Sequence, residues 1–406
     1  MPSSRRSFVG TIGAAVAASL AGCSGISESP YTPGSDEDSE WPMAGYEQTN
    51  SSWNPDASAP RNDVSVRWKT EIDPKPYGRP IVAGGLVFVT LGRELLAIDS
   101  ASGDIQWRIG GETSLLTTPA VHDGTVYVGK ADTSQPGVLA LHATDGSERW
   151  TFESRDDVHT APQLAYDLDG NLQAMYVGDE TGRVSKLDPS TGAVQRAVEV
   201  FGSVSCLGID VGLDTNILVG TGGGELYSFA DTGDRIRGLW RRRVGGKVTA
   251  IGTTSVGPVV ASFGGPLYRL SNGAYAGQPK WTHEPGAMNL AVTRYDVIGT
   301  DGGGLVVLDA SSGEQRWQLD GGYHAGPAVV GDLLIAGGGD LGENGSGFVS
   351  AYDLRGDLTS SVLGRTRWTF DTEDAVVEGI SVADGAVFFG TQGVDAPAWL
   401  YALESA

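Results

Sequence analysis

Leu95-Leu96-Ala97-Ile98-Asp99-Ser100-Ala101-Ser102-Gly103-Asp104-Ile105-Gln106-Trp107 is the stretch on which the fold turns. It reads as an apolar strand ending in an aliphatic-small-aliphatic triplet, an Asp-x-x-x-Gly turn, and a further strand that carries Trp. The same pattern returns as Ala140-Leu141 with Gly146 and Trp150, and as Leu308-Asp309 with Gly313 and Trp317. A unit this short cannot bury its own apolar face, so it must stack on copies of itself.

The repeat closes with Trp68, Trp107, Trp150, Trp240, Trp281, Trp317 and Trp368, and Arg196 stands where one Trp is missing. The 339 residues from Trp68 to Ala406 divide into eight lengths of about 42, the period of a four-stranded propeller blade. Blades are expected to open near Pro80, Pro119, Pro162, Ser205, Val248, Asn289, Pro327 and Ile380. Each begins with alternation of the kind Ala120-Val121-His122-Asp123-Gly124-Thr125-Val126-Tyr127-Val128, where Asp-Gly marks a tight hairpin. The last copy stops at Ala406 without its Trp strand, while Val64 to Thr70 is a Trp strand with no blade before it. The pattern therefore predicts an all-β, eight-bladed β-propeller of four-stranded antiparallel blades, closed by the N-terminal strand pairing with the C-terminal blade.

From about Trp41 to the end the chain resembles the quinoprotein-like propeller family, whose repeat is named for pyrroloquinoline quinone and whose Ala, Gly and Trp positions dock the indoles. The resemblance includes the lead-in Trp41-Pro42-Met43-Ala44-Gly45 with Asn50 and Trp53. It implies that the seven repeated Trp are packing residues. Ala97, Ala140 and Ala351 would leave room for an indole, and Gly103, Gly146, Gly192 and Gly313 would supply positive φ in the turns. The enzymes of this family imply a bound quinone stacked on an adjacent-cysteine disulfide, with Ca²⁺ beside it. Here there is no Cys-Cys pair, and blades of about 42 residues leave little room for pocket-building insertions. The compact, non-catalytic lipoprotein branch is the better match, so no cofactor is expected. The quinone and Ca²⁺ belong to the alternative, a quinoprotein oxidoreductase.

The chain carries a net charge of -22, from 50 acids against 28 bases, and only six of those bases are Lys. Acidity with scarce Lys fits a protein from a salt-saturated environment, where ions screen self-repulsion. An extremely halophilic, archaeal source is expected, and a field of this sign repels nucleic acid. Ser4-Arg5-Arg6-Ser7-Phe8 before a weakly apolar run looks like a twin-arginine export signal, its Arg5 and Arg6 forming the motif. The run ends in Leu20-Ala21-Gly22-Cys23, a lipobox that would lipidate Cys23. It is shorter than the roughly 20 residues a membrane span needs. The expected organisation is a signal peptide over 1–22, an acidic tether over 23–40 and the propeller over 41–406. The membrane is then a partner through lipid, a protein or small ligand is the expected cargo, and the propeller is expected to be monomeric. Cys206, alone once Cys23 is lipidated, reads as a small core residue.

Motifs for a nucleophile elbow, a His-Glu-x-x-His zinc helix or Cys-x-x-Cys are absent. The Gly222-Gly223-Gly224 and Gly302-Gly303-Gly304 runs lie between strands and read as turns. Asp167, Asp169 and Asn171 alternate as in a calcium loop but lack its Gly and Glu, so they are weak metal candidates. Asp340, Glu343 and Asn344 in a long insertion rank no higher. A sharper expectation concerns the links from each outer strand to the next inner strand. Three residues before the opening Pro these carry Tyr77, His159 and His324, and by looser alignment Lys247 and Glu378. Such groups would ring one mouth of the central channel, the default place for a ligand or partner. His122, His142 and His283 read as structural.

Overall fold

The computed structural model describes residues 40–115, 117–131, 134–211, 215–254, 257–272, 276–342, 345–355, 365–392 and 397–406. Arg5, Arg6, Cys23, nearly all of the tether, Glu343 and Asn344 lie outside them. Every named element is a β-strand, and the strands form eight antiparallel blades arranged as a propeller. Inner strands begin at Ile81, Ala120, Gln163, Val204, Lys247, Asn289, Ala328 and Val376, at or close to each expected opening.

The ring closes as the incomplete last repeat requires. Val64–Ile72 pairs antiparallel with Ala398–Ser405, in register from Val64 opposite Ser405 to Ile72 opposite Ala398, with a bulge at Val66/Trp68. Both ends of the wheel thus share one sheet, and no inner blade edge is left open. The apolar core lies between blades, where the alternating inward faces of neighbouring sheets meet.

At most junctions an outer-strand Trp reaches the next blade's turn. The indole N–H groups of Trp68, Trp107, Trp150 and Trp281 donate to the carbonyls of Ser100, Ala143, Pro189 and Ala310 at 2.8–3.1 Å. Trp368 donates to Pro60, which docks blade 7 onto the closing segment. A Cβ on Gly103, Gly146, Gly192, Gly277 or Gly313 would fall 2.5–2.8 Å from the docked ring, so these positions need Gly for space as well as for φ.

The lead-in is a structural element of its own. Trp41–Asn54 runs as a belt around the hairpin end of the channel and visits the inner strands in order. Trp41 exchanges both backbone bonds with Val82 of blade 1, and the Pro42 carbonyl accepts from Val121 of blade 2. Gln48 meets Gln163 and Tyr166 of blade 3, and the Asn50 amide donates to the Leu207 carbonyl of blade 4. The carbonyls of Thr49, Ser51 and Ser52 accept from Thr253, Val292 and Val329 of blades 5, 6 and 7. Trp53–Asn54 finally adds a short parallel strand to blade 7. The belt satisfies channel-facing amides that would otherwise lack partners.

Candidate functional site

The channel is a funnel with the belt at its hairpin end and the outer-to-inner links at its mouth. Its cavity measures about 370 Å³, with Ala44, Gly45, Asn50 and Ser52 of the belt in its wall. Of the five mouth residues expected from the sequence, Tyr77, His159 and Glu378 line this cavity and Lys247 and His324 do not. His324 turns sideways: its Nε2 lies 3.0 Å from the Gly339 carbonyl, and its ring packs over Gly302. Lys247 opens the inner strand of blade 5 in exposed backbone register with Phe263.

The residues that do face the cavity differ in their commitments. His159 Nε2 lies 3.3 Å from Glu180 and 4.0 Å from Asp157, so acids of its own neighbourhood hold it. Glu378 sits at φ 63, where the backbone is strained for any residue with a Cβ. Its side chain opens onto the funnel but has protein on most sides, and this burial pushes its carboxyl up against the opposing influence of Lys75. The Lys75 ammonium lies 5.8 Å from the Tyr77 ring centroid.

Sequence reasoning missed Arg79. It lies on the cavity wall beneath Tyr77 with 7 % of its surface exposed, and its guanidinium sits 5.2 Å from the Trp41 ring centroid. Nη2 donates to the Pro327 carbonyl at 3.2 Å, while Nη1 is buried with no partner among the described residues. Burial pushes the guanidinium down to about 9, which leaves it charged at neutral pH with no carboxylate paired to it. The signal was the residue before the opening Pro: Thr118, Ala161 and Gly326 are small there, and Arg79 is not. Thr249, from blade 5, also lines the cavity with a buried hydroxyl that lacks a partner.

The remaining candidates make local contacts of their own. Asp167 Oδ1 accepts from the backbones of Asp169 and Asn171, and Oδ2 from Asn171 and Gln173, so the loop closes on itself around its own carboxylate. Asp340 accepts from Gly342 in the same manner. His122 stacks edge-on against Tyr166. Cys206, expected to be a core residue, packs partly buried against the apolar core between blades 4 and 5 and also lines the cavity, and burial pushes its thiol up to about 12.

The quinone and Ca²⁺ implied by the enzymes of the resembling family do not fit these groups. Cys206 is a free thiol with no neighbouring cysteine. The Asn289 amide is committed to Thr300 and the His324 carbonyl. Among the described residues no three or more His, Cys, Asp or Glu stand close enough to hold a metal ion.

Residues 58–204 match the family model described as outer membrane protein assembly factor BamB. The chain is 34% identical over 155 residues to outer membrane protein assembly factor BamB of Nitrosomonas eutropha, covering 36% of each protein. It is 30% identical over 186 residues to the serine/threonine-protein kinase AfsK of Streptomyces griseus, covering 41% of this chain and 22% of that one. The chain therefore spans little more than a third of the length of that BamB and about a fifth of that of AfsK. Among solved structures, BamB from Moraxella catarrhalis aligns with a TM-score of 0.61 at 17% identity, over 84% of this chain and 98% of that one. The computationally designed Ika8 protein gives 0.62 at 15% identity, over 82% and 97%. Quinohemoprotein alcohol dehydrogenase from Comamonas testosteroni gives 0.51 at 13% identity, over 91% and 82%. At these identities the likenesses speak to the propeller fold.

Proposed function

We propose that this chain is a lipid-anchored, extracytoplasmic propeller that works as a non-catalytic binding platform, presenting the open mouth of its funnel to a protein partner or small ligand. The observation that carries the reading is the polar cavity in the channel, walled by the belt residues Ala44, Gly45, Asn50 and Ser52 and by Tyr77, His159 and Glu378 of the links. The match of residues 58–204 to an assembly-factor family supports a role in holding other molecules. The Ser205 hydroxyl and the Cys206 thiol in the cavity wall are both turned to the Val248 carbonyl, which leaves neither bonded to a base as a hydrolase nucleophile would be. Arg5-Arg6 and the Leu20-Ala21-Gly22-Cys23 tetrad support export and lipidation at Cys23.

Two experiments test this. Cys23→Ser should move the protein from the membrane fraction to the soluble extracytoplasmic fraction, and retention at the membrane would remove the anchor from the account. Affinity capture with the intact lipoprotein, identified by mass spectrometry, should recover a partner that the triple variant Tyr77→Ala/His159→Ala/Glu378→Gln loses while its circular dichroism stays unchanged. Capture that survives the triple variant would move the interface away from the mouth.

A further inference from the structure

The mouth reading leaves open what the funnel itself is built to hold, and two buried polar groups in its wall bear on that. Arg79 Nη1 and the Thr249 hydroxyl are both shielded from solvent without a partner among the described residues, and both line the same cavity from blades 1 and 5, across the ring from each other. An unpaired buried donor of either kind is costly, and a buried cation more so, unless something supplies an acceptor.

The Arg79 guanidinium is also held in place. A Cβ on Gly379 would fall 2.5 Å from its Nε, and one on Gly326 would fall 2.8 Å from its Nη2. The two glycines therefore form a slot into which the guanidinium fits, with Trp41 against its face and the Pro327 carbonyl taking Nη2. What remains is one N–H edge of one fixed positive charge. A carboxylate oxygen is the acceptor that matches it.

The rest of the cavity limits the ligand's charge and size. Glu378 opens onto the same space, so a second negative group on the ligand would find an acid beside it and not a second cation. A volume of about 370 Å³ is at the small end of the ligand-pocket range. We propose that the funnel binds a small monocarboxylate with a polar group at its far end, the carboxylate on Arg79 and the polar group on Thr249. This deepens the mouth reading by naming a ligand class, and it moves the anchor from the rim to the wall.

Calorimetric titration of the full chain with benzoate, 4-hydroxybenzoate, inorganic phosphate and pyrroloquinoline quinone tests it. Both monocarboxylates should saturate one site, 4-hydroxybenzoate more tightly, while phosphate and the tricarboxylate quinone should not. Arg79→Gln should weaken both monocarboxylates at least about tenfold. Gly379→Ala keeps the charge but crowds the slot, and it should weaken them as well. Thr249→Val should remove the advantage of 4-hydroxybenzoate and leave benzoate unchanged. Absence of saturable binding, binding indifferent to Arg79→Gln and Gly379→Ala, or preference for phosphate or the quinone would each overturn the proposal. Failed titration with partner capture intact rejects this site alone. Capture that survives the mouth variant, with titration intact, rejects the mouth reading alone.

Discussion

Two blade junctions solve the same packing problem with opposite chemistry. Between blades 5 and 6, the buried indole of Trp281 lies on Gly313 and donates to the Ala310 carbonyl at 3.1 Å. Between blades 3 and 4, Arg196 takes the Trp position, stays exposed and donates to the Asp234 carbonyl across the junction and to the Gln195 carbonyl of its own strand, and a Cβ on Gly233 would meet nothing within 4 Å. A polar clasp stands in. The Tyr176 hydroxyl of blade 3 donates to Asp231 of blade 4 at 2.5 Å, and the Lys186 ammonium sits 2.6 Å from the same oxygen, with the two charged side chains 12% and 2% exposed. A docked indole tolerates its surroundings, because its energy is spread over many contacts. A buried ion pair concentrates its contribution in one geometry and fails when one member is removed.

The contrast is broken most directly at its apolar side. Trp281→Ala should cost about 4 kcal/mol in denaturant unfolding, from lost burial and the cavity left behind. Arg196→Ala, at the equivalent position, should stay within about 0.5 kcal/mol. Similar costs would mean that the indole is not what holds a junction.

The polar side comes next. Asp231→Ala should cost about 3 kcal/mol, chiefly by leaving the Lys186 ammonium buried without a counter-charge. The double variant Lys186→Met/Asp231→Leu should recover most of that loss, because replacing both partners by apolar side chains removes the desolvation problem. If the double variant is no better than the single one, the clasp contributes by something other than charge pairing.

The same clasp predicts a pH dependence. Burial alone would raise the Asp231 carboxyl, but Lys186 and Tyr176 overcome it and hold the group below the ordinary 3.8. A depressed folded-state value means that the stabilisation is fully present above 3.8 and is lost as the pH falls through the lower, folded value. As the pH falls from 3.8 to that lower value, stability of the wild-type chain should therefore fall more steeply than that of Asp231→Asn, measured by thermal unfolding across the acid range. Parallel slopes would assign the acid sensitivity to other carboxylates.

What the sequence made legible follows from periodicity. The eight-fold repeat, the docked Trp and Gly, the notch at Arg196 and the exchange of Val64–Ile72 into the last blade each leave a mark at a fixed spacing. The belt was visible only as a motif, because each of its contacts occurs once and most use backbone atoms that any residue supplies. The clasp at blades 3 and 4 draws Tyr176, Lys186 and Asp231 from three strands, so no local pattern announces it. Alignment of the blade links brought Tyr77, His159 and Glu378 to the funnel, yet it carried His324 and Lys247 elsewhere. A link's register fixes which residue reaches the axis, and local bonds such as that from His324 to Gly339 then decide where its side chain turns.

The smallest effect sharpens the comparison at the level of single glycines. Gly313 and Gly233 share the left-handed backbone region, at φ 76 and 82. A side chain at either position pays the conformational penalty of that region, about 1 kcal/mol for Ala. Only at Gly313 does the new Cβ also fall 2.6 Å from the Trp281 ring, against an indole that is buried and cannot yield without leaving its carbonyl partner. Gly233→Ala should therefore cost about 1 kcal/mol, and Gly313→Ala at least about 1 kcal/mol more, the usual range for overpacking. In the Trp281→Ala background the excess at Gly313 should vanish, because the atom it collides with is gone. An excess that persists there would show that the turn, rather than the docked indole, is what requires glycine.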